Sequence, residues 1–180
     1  MRRSLLLHPD SRCEAIESIE AEVTRSSPGS LVMRYFVTGD LRGVRLPLPS
    51  GSARADELWR HTCFELFLRV GSGDVYHEFN FAPSLQWAAY RFDGYRSGMR
   101  PLEIPAPRIE IRQDGCVFEM QADVNLAGMS DADSRADWHL GLSAVIEEKN
   151  CDISYFALAH VPGKPDFHHA DGFALSIQAP

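Results

Sequence analysis

The sequence predicts an all-β protein, a single antiparallel β-sandwich of jelly-roll or immunoglobulin-like type with almost no helix. Short runs rich in β-branched and aromatic residues recur along the chain, and Gly, Pro, Asn and Asp separate them. No stretch of about ten residues repeats its apolar positions at the helical period. The chain has 180 residues. Neither a repeat nor a linker divides it, so we expect one domain over residues 1–180.

The predicted strands follow one another through turn signals. They are residues 19–24, 31–38, 58–70, 75–81, 86–92, 108–112, 116–124, 138–147, 153–159 and 173–177. Asp114-Gly115 is a strong hairpin signal, because this pair tolerates a positive φ. At most one helical turn is expected, at 125–135.

Composition and charge exclude several classes of protein. The chain carries 25 acidic against 18 basic residues, a net charge of −7, which argues against a nucleic-acid partner. No apolar run is long enough to span a bilayer. The apolar run at the N-terminus stops at His8, shorter than the core of a signal peptide, so we expect a cytoplasmic protein. Four dispersed cysteines without metal-ligand spacing predict reduced thiols and no metal site.

A first polar cluster is predicted on neighbouring strands. Residues alternate between the two faces of a strand, so Glu65 should lie on the face opposite Leu66. A lone acid in an apolar strand should have its carboxylate hydrogen-bonded. If three strands pair in order, Glu65 shares a face with Asn80 and with either Glu78 or His77. An ordinary solvated sheet face stays open as the alternative.

A second polar group occupies a loop late in the chain. His160, Lys164, Asp166 and His168 lie in a segment that two prolines stiffen. We expect this loop to fold back over the end of the sandwich and to add at least one of these side chains to the first cluster. We also expect a carboxylate partner for Lys164. The alternative is a structural loop that seals the core with Phe167.

Five stretches of sequence together resemble a known family. They are LWRHTCFE (58–65), YHEFNFAPS (76–84), Trp87, YRSGM (95–99) and GKPDFH (163–168). The chain is similar in them to bacterial DOMON-like domains, which are related to the family 9 carbohydrate-binding modules. The resemblance implies a β-sandwich that binds sugar or haem, and it implies a position near the sugar for Trp59.

Sugar binding is the first functional hypothesis. Flat aromatic rings cover the apolar side of a sugar, and charged or amide groups bind its hydroxyls. We expect Trp59, Trp87 and Tyr95 to converge on one cleft near Arg96. The candidate ligand-binding residues are Trp59, Arg60, Glu65, Asn80, Trp87, Tyr95, Arg96, His160, Lys164, Asp166 and His168.

Two non-catalytic functions and one enzymatic function are the alternatives to sugar binding. The haem-binding members of the family imply axial Met and His ligands, for which Met99 and His160 are the candidates. A protein-interaction domain without a small ligand is the other alternative. Glu65 with Glu78 would be paired carboxylates, but no nucleophile or oxyanion motif accompanies them. The sequence therefore predicts a non-catalytic domain that binds a sugar-like small molecule without a cofactor.

Overall fold

The computed structural model describes residues 2–27, 29–126, 129 and 136–178. Within them the chain forms strands and short 3-10 turns, and no α-helix. The strands are Arg3–Leu7 (β1), Ile16–Ser27 (β2), Ser30–Gly39 (β3), Ala53–Arg54 (β4), Cys63–Val70 (β5), Tyr76–Phe81 (β6), Gln86–Phe92 (β7), Arg100–Pro101 (β8), Arg108–Asp114 (β9), Val117–Asn125 (β10), Trp138–Glu147 (β11), Ile153–Ala157 (β12) and Leu175–Ile177 (β13). The 3-10 turns are Leu41–Gly43, Leu58–Arg60 and Ala170–Gly172. The all-β prediction is confirmed.

The strands form one continuous curled sheet rather than two separate sheets. Its order is β4-β7-β6-β5-β11-β12-β1-β2-β3-β10-β9, with β13 beside β11 and β8 beside β7. Strand β1 joins the two halves, because Arg3 pairs with Ala21 of β2 while Leu6 pairs with Ala157 of β12. Strands β4 and β7 are parallel, which departs from the purely antiparallel prediction.

The two halves of the sheet face each other across a common core. Phe64 of β5 packs against Tyr35 of β3 and Phe118 of β10, with ring centroids 5.1 and 5.7 Å apart. The Tyr35 hydroxyl donates a hydrogen bond across this core to the backbone carbonyl of Glu65. The core therefore fixes β5 from one side and leaves its other face for a second cluster.

The second face of β5, β6, β7 and β11 is also buried, which explains why these strands are apolar in both alternating positions. Phe67, Tyr76, Tyr90 and Val145 belong to this second cluster, and Phe173 covers it from the C-terminal segment. The predicted alternative of a solvated sheet face is therefore wrong. Glu65 and Glu78 lie on this buried face.

Local sequence accounts for several of the observed boundaries. Strands β7 and β11 have the predicted bounds, and Gly115 has the positive φ expected at the β9–β10 hairpin. The apolar run at 58–70 begins with the 3-10 turn Leu58–Arg60 before the strand. The helical turn predicted at 125–135 falls mostly outside the described residues. Among the residues described, no helix has the length and apolar character needed to cross a membrane.

Candidate functional site

A cavity of about 350 Å³ opens on the second face of the sheet, beneath the loop that precedes Ala170–Gly172. Strands β5, β6, β7, β11 and β12 contribute to its walls. Its lining residues are Trp59, Glu65, Glu78, Phe92, Arg96, Met99, Val145, Tyr155, Pro165, Phe167 and His168.

Strand register brings two carboxylates to the floor of the cavity. Glu65 pairs with Asn80 across β5 and β6, so Glu78, two residues earlier, points to the same side. The Asn80 amide donates a 2.7 Å hydrogen bond to Glu78 Oε1. Ser143 Oγ lies 3.4 Å from Glu65 Oε2, while the buried Oε1 of Glu65 has no hydrogen-bond partner. Glu65 is 2% exposed and Glu78 is 4% exposed.

Burial shifts both carboxyl groups toward their neutral forms. Desolvation raises the pKa of Glu65 well above its usual range, and the negative charge of Glu78 raises it further. Desolvation also raises the pKa of Glu78 to about 7, although Asn80 and Arg96 act in the opposite direction. Two neighbouring carboxylates in a desolvated site cannot both ionise without a counter-charge.

His168 faces Glu78 from the loop in its neutral form. The backbone N–H of Arg96 donates a hydrogen bond to the Tyr76 hydroxyl, and that hydroxyl lies 2.7 Å from His168 Nδ1. The hydroxyl therefore donates to Nδ1, which leaves the ring proton on Nε2, 3.8 Å from Glu78 Oε2. Burial and the charge of Arg96 lower the pKa of His168 to about 4.

An ion pair closes the rim of the cavity. Arg96 donates a 2.7 Å hydrogen bond to Asp166 Oδ1, and the Tyr95 hydroxyl donates a 2.6 Å bond to Oδ2. Burial acts to raise the pKa of Asp166, but the bonds from Tyr95 and Arg96 outweigh it and lower that pKa. Asp166 also accepts from the backbone N–H of His168, so the rim fixes the loop over the cavity.

Aromatic rings form the remaining wall. Trp59 meets Tyr90 edge to face at 5.9 Å, and Tyr155 meets Phe167 in the same way at 6.1 Å. Trp59 is only partly buried, because the 3-10 turn Leu58–Arg60 holds it at the mouth of the strand. Its exposed surface can therefore contact a ligand.

The structure brings seven of the eleven predicted residues to this site. Trp59, Glu65, Arg96 and His168 line the cavity. Asn80 bonds to Glu78, which lines the cavity, and Tyr95 and Asp166 join Arg96 in the rim.

The other four predicted residues lie elsewhere. Trp87 packs in the common core on the opposite face of β7, so the predicted convergence of Trp59, Trp87 and Tyr95 is wrong. Arg60 is exposed and pairs with Glu57. Lys164 is exposed, and no ion pair of Lys164 is found in the described part of the chain.

His160 and Met99 do not meet across one space. His160 packs against His8, with ring centroids 4.8 Å apart, and its Nε2 donates to the carbonyl of Leu6. Met99 lines the cavity, and His160 does not. The haem alternative is not supported.

Sequence reasoning left three important residues unassigned. The sequence predicts either Glu78 or His77 on the face of Glu65, because it does not fix the register of β6. Tyr76 and Tyr155 carry no motif of their own. The signal for Tyr76 and Glu78 is strand alternation: they share one face of β6 with Asn80, and the pairing of β5 with β6 selects that face.

A larger cavity, of about 680 Å³, lies near the turn Leu41–Gly43. Its buried carboxylate, Glu147, already has His61 Nδ1 at 2.8 Å and Arg45 Nε at 3.4 Å. Among its described lining residues, none has a buried polar atom without a partner. The smaller cavity is therefore the better candidate. In the described ranges no three His, Cys, Asp or Glu side chains converge as a metal site would require.

Comparisons with known proteins relate the fold to sugar-binding structures. No protein-family model matches the chain, and no curated protein matches it in sequence. A candidate carbohydrate-binding protein from Bacteroides uniformis superimposes with a TM-score of 0.70 at 11% identity, covering 95% of this chain and 83% of that one. The family 9 carbohydrate-binding module of Caldicellulosiruptor kristjanssonii in complex with cellotriose gives a TM-score of 0.52 at 9% identity, covering 91% and 74%. The same kind of module in complex with glucose gives 0.51 at 8% identity, covering 94% and 78%.

These neighbours share the fold. Identities of 8–11% are too low to transfer a ligand, so function must be argued from the site itself.

Proposed function

We propose that the protein binds a carbohydrate in the cavity between Trp59, Glu65 and Glu78, without catalysis of its own. One observation carries the proposal. A buried carboxylate oxygen of Glu65 has no hydrogen-bond partner and belongs to a residue that lines a cavity with an aromatic wall. Buried polar atoms in folded proteins almost always have partners. A ligand with hydroxyl donors would supply the missing one.

The chemistry of the walls suits a sugar. Hydroxyl groups donate well to carboxylates, and charge-assisted hydrogen bonds of this kind are the strong ones. The apolar face of a sugar ring packs on an aromatic side chain, which is the role we propose for Trp59. The volume of about 350 Å³ lies near the lower end of small-molecule sites, so we propose a single sugar unit or the end of a chain.

The fold neighbours support this choice of ligand class. Solved structures of family 9 modules with the same fold hold cellotriose and glucose. We also propose that the chain is related to DOMON-like domains and has the two-layer sandwich that this relationship implies.

The test is calorimetric titration of the protein with glucose, cellobiose and glucosamine. Trp59→Ala should weaken the tightest of these by about tenfold or more, because it removes the stacking surface. Arg60→Ala is the matched control. It changes the neighbouring residue, which is exposed and outside the cavity, and should leave the affinity unchanged. Binding that Trp59→Ala leaves intact, or no binding of any sugar, would contradict the proposal.

A further inference from the structure

The charges around the cavity balance only while both floor carboxyl groups keep their protons. Glu65 and Glu78 lie on the floor, and the nearest cation, Arg96, is already paired with Asp166 at 2.7 Å. His168 is neutral, and its Nε2 lies 3.8 Å from Glu78 Oε2, beyond hydrogen-bond distance. With both floor carboxylates ionised, the four charged groups would sum to two negative charges.

Among the residues that the structure describes, no group packed against the floor supplies a free positive charge. The titratable groups that face it are Tyr35 from the common core, Cys63 on β5, Tyr76 on β6, Tyr90 on β7 and Tyr155 on β12. Burial raises the pKa of Tyr35, Cys63, Tyr76 and Tyr90. These groups can donate hydrogen bonds, and none of them is a cation.

A cationic ligand would supply the charge that lets one of the two carboxyl groups ionise. Removing one partner of a buried charge pair is strongly destabilising, so a site with two buried acids favours a ligand that brings the other charge. An ammonium group supplies three donors and a compact charge. The partly exposed ring of Trp59 at the mouth adds attraction for a cation.

We propose that the preferred ligand is an amino sugar with a free amine, whose ammonium group lies between Glu65 and Glu78. This inference rests on the proposed carbohydrate function and narrows it to a substrate class. A neutral sugar can also donate hydroxyls to the floor, but it brings no charge, so both carboxyl groups keep their protons and accept weaker hydrogen bonds than carboxylates would. An N-acetylated sugar has no charge on its nitrogen and is excluded on the same ground.

Binding of the ammonium should release protons. The carboxyl groups of the free protein hold protons in the neutral range because they are buried, and the ligand's charge favours their ionised forms. About one proton then passes from the carboxyl groups to the buffer, because one ammonium charge compensates one carboxylate, and the ammonium keeps its own proton. Affinity for the amine should rise from about pH 5 to about pH 7, whereas affinity for a neutral sugar should not.

Titration calorimetry with four probes tests the inference: glucosamine, N-acetylglucosamine, glucose and cyclohexylamine. Glucosamine should bind at least about tenfold more tightly than glucose or N-acetylglucosamine at about pH 7. Its apparent enthalpy should change with the ionisation enthalpy of the buffer, which reports proton release. Glu65→Gln and Glu78→Gln should each reduce this preference. Glu57→Gln, the same substitution at an exposed glutamate beside the site, should not.

The outcomes separate this inference from the proposed function. Equal affinities for glucosamine and glucose would overturn the amino-sugar inference and leave carbohydrate binding standing. Binding of cyclohexylamine as tight as that of glucosamine, with no binding of glucose, would support the cation site and overturn the carbohydrate function. Binding of none of the four would overturn both.

Discussion

At the scale of single residues, the site depends on carboxyl groups placed where a β-sheet usually buries apolar side chains. The strand carrying Glu65 is apolar on both faces, so the acid is desolvated. Asn80 and Ser143 each provide one donor, which is fewer than two ionised carboxylates would need. The free protein therefore holds these groups near neutrality, and a ligand determines when they ionise.

Glu78→Gln should change how stability depends on pH. The folded pKa of about 7 lies above the ordinary value of 4.5, so the unfolded chain loses its proton first as pH rises. The wild-type protein therefore has its full stability below about pH 4.5 and loses stability as the pH rises to about 7, because its unfolded state ionises first. The Gln side chain does not titrate, so the variant shows no such loss. We expect the variant to gain about 3 kcal/mol relative to the wild type between about pH 4.5 and pH 8.

Urea unfolding of both proteins across this pH range measures the difference. The buried histidine His77 lies on the opposite face of β6 from Glu78 and is present in both proteins, so its own loss of stability at low pH cancels. Glu57→Gln, at an exposed position, should show no such trend. A pH-independent difference between Glu78→Gln and wild type would mean that Glu78 is ionised in the folded protein.

At the scale of elements, the sequence shows which residues lie on opposite faces of a strand, but it does not show which face turns toward the cavity. The sequence predicted that Glu65 and Leu66 face opposite ways, and the structure shows this. It could not decide whether Trp87 or its neighbour Ala88 faces the cavity, because both faces of β7 are apolar. As an aromatic residue, Trp87 is predicted in the site, but in the structure it packs in the common core.

Strand β1 shows a different limit of sequence reasoning. Its three leucines form a short run whose only sequence signal is that it is too short for the core of a signal peptide. In the structure this segment joins both halves of the sheet through β2 and β12. The pairing with β12 is non-local and leaves no local signal in composition or turns.

Substitutions in β1 test its structural role. Leu5 is 5% exposed and packs in the common core, whereas the next residue, Leu6, is 57% exposed. Leu5→Ala should lower the free energy of unfolding by about 2–4 kcal/mol, and Leu6→Ala should change it by less than about 0.5 kcal/mol. Chemical denaturation provides both values. Equal effects at the two positions would contradict the placement of β1 at the junction.

At the scale of the whole molecule, the curled sheet buries both faces of one half. The common core holds β5 from one side, and the loop carrying Asp166 and His168 covers the other side. The all-β class and most strands could be read from turn signals and alternation. The curl of the sheet could not be read from the sequence, because it depends on one strand, β1, joining two hairpins that are distant in sequence. The cavity is a consequence of the curl and of the loop above it.

The central claim is that a sugar binds beside Trp59, and the indole N–H signals in an NMR titration with glucosamine and with glucose test it most directly. The chain has three tryptophans. Trp59 lines the cavity, whereas Trp87 and Trp138 lie in the common core. The account predicts a saturable shift of the Trp59 signal, assigned with Trp59→Phe, while the two core signals stay in place. A Trp59 signal that does not move at saturating sugar would contradict it.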